Sequence, residues 1–114
     1  MDGLTGKHLA EQNNQDKVRA ALAKIWQTSR PEALSRLLTL ENFVVESRSG
    51  GSDGKFLANA LSAAHRLSGS LGMFGLDEAS AYASEIESLL CQKSGFDLER
   101  MTELLRQLRT QLEK

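Results

Sequence analysis

Apolar residues recur every three or four positions through most of this chain, a spacing that places them on one face of a helix and on no face of a strand. The most regular run is Leu98, Met101, Leu104, Leu105, Leu108 and Leu112. Asp97 stands where it can cap that helix, with Phe96 before it and Met101 after it placed as a hydrophobic staple. Leucine and alanine dominate, aromatic residues make up 5% and there is one proline, which favours helices over a sandwich or barrel. A chain of 114 residues fits one domain able to bury roughly two-thirds of its unfolded surface without disulfides or metal.

Breaks between the runs divide the chain. Residues 1–13 mix glycine, charge and amides without sustained periodicity and read as a flexible leader or linker, leaving 14–114 as the bundle domain. His8 falls in the leader, without a second ligand at helical spacing, and reads as a solvated residue. Val18, Leu22 and Ile25, with Trp26 beside them, predict a short first helix over about Gln15 to Thr28. Ser29-Arg30-Pro31-Glu32 reads as a capping box that starts a second helix, whose inward stripe runs through Leu34, Leu37, Leu38, Glu41, Val44 and Val45. Ser47 to Gly54 is a loop rich in glycine and serine. A third helix is expected over about Lys55 to Met73. After a tight turn at Phe74-Gly75, a fourth runs from a cap at Asp77 to about Lys93, burying Ala79, Ala83, Ile86, Leu89 and Leu90. The expected architecture is all-α: an antiparallel up-down four-helix bundle with a short additional N-terminal helix.

Charge and composition exclude several classes of partner. The 14 basic and 15 acidic side chains nearly cancel, so no broad field exists to hold nucleic acid or an anionic membrane. No apolar run approaches the roughly 20 residues that cross a bilayer, and the single cysteine, Cys91, agrees with a reducing compartment; a cytoplasmic location is expected. No metal site of its own is expected.

The chemistry of the chain concentrates on the third helix. Leu57, Ala60, Leu61, Ala64, Leu67, Ser68 and Leu71 share one face, and His65 stands at its margin. Along the stripe of His65 lie Ala58, Ser62, Gly69 and Gly72, none of which reaches as far as an imidazole. Glycine inside a helix costs about 1 kcal/mol relative to alanine, so two of them just beyond His65 suggest close approach by something large. His65 is thus a candidate nucleophile facing a docking partner.

The residues Ala64-His65-Arg66-Leu67, Gly69-Ser70-Leu71-Gly72, Phe74-Gly75-Leu76 and the run to Glu87-Ser88-Leu89-Leu90 resemble the histidine-containing phosphotransfer (HPt) domain. The variant is similar to HPt modules embedded in multidomain response-regulator and hybrid signalling proteins. The resemblance covers about Val18 to Leu112 and is strongest from Ala64 to Leu90. It implies that His65 is the phosphoacceptor, attacking through Nε2, and that Gly69 clears space for a receiver domain. The implied docking surface comprises Ala58, Ser62, Arg66, Ser68, Gly69, Gly72 and Met73, although Met73 reads equally well as closing the end of the bundle with Phe74. Many family members carry lysine where this chain has Ser68, and Arg66, about 100° away from His65 on the helix, is a poor substitute.

An acyl phosphate is already activated, so a phosphotransfer intermediate needs no cofactor of its own and no kinase activity; Mg²⁺ is expected on the partner receiver. Expected partners are receiver domains and a histidine kinase or hybrid kinase. The alternative is a phosphate-independent module that binds a receiver or dimerises through exposed Val44 and Val45. A histidine-kinase hairpin fits less well, because it expects two long helices per chain.

Overall fold

The computed structural model describes residues 2–50, 54–92 and 95–114, with side chains from Asn14 onward among these. The described residues form four helices and no strand: α1 (Asp2–Arg48), α2 (Gly54–Met73), α3 (Asp77–Leu90) and α4 (Leu98–Leu112). The side chain of His8 and residue Lys93 lie outside the described residues.

The largest departure from expectation is in α1. The chain does not stop at Ser29 to begin again at Glu32; one helix runs through Pro31, so the separate short N-terminal helix is absent and the capping box goes unused. Residues 2–13, expected as a flexible leader, continue the same helical backbone. Proline inside a helix forfeits one backbone bond, here to the Gln27 carbonyl, and crowds the preceding turn. Packing on both sides offsets that loss. Trp26 lies against Phe74 with ring centroids 5.5 Å apart, and Arg30 Nε donates to the Leu112 carbonyl at 2.7 Å, capping the end of α4. At 1.5 Å per residue α1 spans about 70 Å, which accounts for the 69 Å long dimension of the molecule.

Only the second half of α1 enters the core, through Ala33, Leu37, Leu40, Phe43 and Val44. Val18 and Ile25 are exposed, as is Leu38, which points away from the stripe it was expected to join. The rest of the core comes from Ala60, Ala63, Ala64, Leu67 and Leu71 of α2, Ala79, Ala83, Ile86 and Leu90 of α3, and five residues of α4. Between α1 and α4, Arg109 forks onto the Glu41 carboxylate and also bonds Glu113, while Arg48 reaches Thr102. These bonds hold the Arg109 pKa above its already high value, Glu41 contributing most.

The turns follow local chemistry. After α2, the Leu76 N–H donates to the Leu71 carbonyl and the Gly75 N–H to that of Gly72, a Schellman closure in which Gly75 takes φ +76°. Asp77 is not the cap of α3; Leu76 holds that place without a side-chain bond, and Asp77 and Glu78 occupy the first turn, where negative charge suits the helix dipole. Asp97 does cap α4, accepting from the Arg100 N–H at 3.0 Å. Phe96 packs edge-on against Phe43, and Met101 is buried. α3 ends at Leu90, short of Lys93, leaving Cys91 exposed.

Three substitutions test this packing by chemical denaturation. Leu104→Ala is expected to cost about 2 to 5 kcal/mol, and Leu61→Ala less, because Leu61 is only half-buried. Pro31→Ala is expected to stabilise the fold by about 1 to 3 kcal/mol, whereas a chain broken at Ser29 would gain nothing.

Candidate functional site

The pairing of α2 with α3 builds the site. Both helices bury alanines, Ala60, Ala63 and Ala64 on α2 and Ala79 and Ala83 on α3, and side chains this small leave little bulk to hold the two apart. Along the solvent-facing edge of this seam the polar partners rise on α2 as they fall on α3. His65 Nδ1 lies 2.9 Å from Glu87 Oε2. One turn on, Ser68 Oγ is 2.5 Å from Ser84 Oγ, and Ser80 Oγ donates to the Ser68 carbonyl at 2.8 Å. A further turn brings Gly72 beside Ser80, where an added Cβ would sit 3.3 Å from the hydroxyl oxygen.

The first of these contacts decides the chemistry. A carboxylate only accepts, so in a neutral imidazole bonded to Glu87 the proton resides on Nδ1 and the lone pair is on Nε2. The His65 side chain is 77% exposed, and no other described side chain bonds the ring. Glu87 is less exposed, at 32%, and is held in the last turn of α3, so it orients the ring from a helical base. The arrangement presents a ring nitrogen able to attack an electrophile brought by something outside the chain.

The residues singled out around His65 divide by direction. Ala58, Ser62, Gly69 and Met73 lie exposed on the outer strip of α2 with the histidine; Met73 is 74% exposed, while Phe74 makes the contact that closes the bundle end. An added Cβ at Gly69 would meet nothing within 4 Å, so that glycine leaves open space. Gly72 differs, its missing side chain serving the approach of α3, and Ser68 is half-buried and bonded to α3. Arg66 turns the other way, lining a groove with Ser62 and with Arg36 and Thr39 of α1.

Glu87 is the residue that the reading of single helices misses. The turn at Phe74-Gly75 was the available signal: His65 and Glu87 stand equally far from Leu76 along the chain, which sets them opposite each other once the helices fold back. The apolar pair offered for dimerisation is corrected by the structure. Val44 is buried at 6% exposure and Val45 is 59% exposed, though both line the shallow groove between α1 and α4.

The model of the Hpt domain family matches residues 24–114, and the chain belongs to that family. Hpt domains serve histidine phosphotransfer in two-component signalling and in general interact with receiver domains and kinases. Comparison with curated proteins and with solved structures returned no match. No helix among the described residues is long and apolar enough to cross a membrane.

The tautomer is directly measurable. Long-range ¹⁵N–¹H correlation spectra of His65 at neutral pH are expected to show the proton on Nδ1 in the native chain and a redistribution toward Nε2–H in Glu87→Ala; identical spectra would contradict the bond to Glu87.

Proposed function

We propose that His65 takes a phosphoryl group from the phospho-aspartate of a receiver domain and passes it to another receiver. In this reading the helices form an antiparallel up-down bundle, with Ala58, Ser62, Gly69 and Met73 as the central docking strip. Arg66, Ser68 and Gly72 flank it. The observation that carries it is the exposed imidazole whose inner nitrogen is bonded to Glu87 while its outer nitrogen has no partner among the described residues.

The step balances without any group from this chain beyond His65 and Glu87. The Nε2 lone pair attacks phosphorus, the Nε2–P bond forms, and the P–O bond to the aspartyl carboxylate breaks, the leaving electrons returning to that carboxylate. The ring keeps its Nδ1 proton and becomes cationic, and the Glu87 carboxylate 2.9 Å away offsets the new charge. Transfer onward is the same step reversed. The receiver supplies Mg²⁺ and the charge stabilisation around the phosphoryl oxygens, so the two proteins complete one active site between them. Such an exchange takes place in the cytoplasm.

Incubation with a phosphorylated receiver is expected to yield an acid-labile, base-stable adduct on the chain that is lost in His65→Gln. Binding to the receiver without any adduct would support the phosphate-independent docking module instead. Gly69→Leu is expected to fold normally, since the space above Gly69 is open, and to slow transfer by about tenfold or more by obstructing approach to Nε2. Unchanged transfer would contradict the docking strip.

A further inference from the structure

We propose that the polar groove between α1 and α2, beside His65, seats an acidic side chain of the docked receiver, with Arg66 as its principal anchor; this rests on the phosphotransfer reading above. The groove encloses about 260 Å³ and is lined by Arg36, Thr39, Asn59, Ser62, Ala63 and Arg66. Two guanidinium groups and three neutral hydrogen-bonding side chains therefore face one space, and no carboxylate is among them.

The charge distribution is selective. The chain carries 15 acidic residues, yet α2, the helix that presents His65, has none from Gly54 to Met73 while it carries Lys55 and Arg66. Arg36 is partly committed, its Nη2 lying 2.6 Å from Glu32, and Thr39 donates to the Ser35 carbonyl. Arg66, Asn59 and Ser62 make no side-chain bond to any described residue. Their donors are thus available to an incoming acceptor. A planar guanidinium matches a carboxylate with two parallel hydrogen bonds, and the neighbouring amide and hydroxyl can take the remaining lone pairs.

Position selects the partner. Ser62 belongs both to the groove and to the exposed strip of His65, so a protein covering the histidine also covers the groove mouth. Arg66 is turned about 100° from His65 around α2, which places it in the groove at the rim of a protein covering the histidine and away from the phosphoryl group in transit. Charge placed at such a rim sets orientation and association rate.

The test measures calorimetric binding of beryllofluoride-activated receiver domains, purified as a panel, to the native chain, His65→Gln, Arg66→Glu and Asn59→Asp. At low ionic strength Arg66→Glu is expected to weaken binding at least about tenfold, and Asn59→Asp less. Both losses are expected to shrink as salt is raised. Lysine in place of one carboxylate on the receiver is expected to restore binding to Arg66→Glu specifically. Binding of Arg66→Glu within twofold of the native chain, or no receiver binding at all, overturns the proposal. A second arm labels His65 with phosphoramidate, a small donor that needs no docking surface. The loss caused by Arg66→Glu is expected to be far larger with the receiver as donor, and equal losses with both donors would place Arg66 at the reacting nitrogen and overturn the groove. If charge-dependent binding persists but nothing labels His65, the phosphotransfer reading fails and the groove stands. The converse pattern sinks the groove alone.

Discussion

The close seam between α2 and α3 is the constraint from which the rest of the site follows. Alanines at its buried side and Gly72 against Ser80 at its tip let the two helices approach, and the Schellman turn at Gly75 fixes where one helix folds back along the other. With that register set, Glu87 has to stand opposite His65, and Ser84 opposite Ser68. The imidazole is then held from below by a carboxylate and open above. A shift of one residue in the pairing would leave both the ring and the carboxylate in place and uncouple them.

Much of this was legible in the sequence because short-range chemistry governs it. The cap at Asp97, the glycine turn, the core of α4 and the exposure of His65 depend on residues within a few positions of one another, and the structure places each as its neighbours dictate. What could not be read depends on contacts between distant segments. Pro31 and its capping box carry every local mark of a helix start, yet Trp26 on Phe74 and Arg30 on the last carbonyl of α4 favour a continuous helix. Val44 and Val45 are neighbours of equal hydrophobicity, and only the position of α4 decides that one is buried and the other exposed. Glu87 by itself belongs to an amphipathic run; its contact with His65 appears only when α3 is laid against α2.

The two glycines of α2 show how one residue type serves two physical ends within a single turn. Gly72 is small because Ser80 is close, whereas above Gly69 the structure holds nothing at all. A local cost in helix propensity is balanced in the first case by packing inside the chain. In the second no packing inside the described chain balances it, and under the docking proposed above the compensation would come from the receiver that covers this strip.

The first half of α1 reaches well past the last core residue on that helix, Ala33, with no buried side chain among its described positions. From Asp2 to Ala33 the rod measures about 46 Å, so a tilt of about 10° at its base sweeps the far end through about 8 Å. Leverage runs both ways along a stiff helix. A modest force applied near the far end of the rod is multiplied where Trp26 and Arg30 grip the bundle, and those two contacts bear the resulting torque.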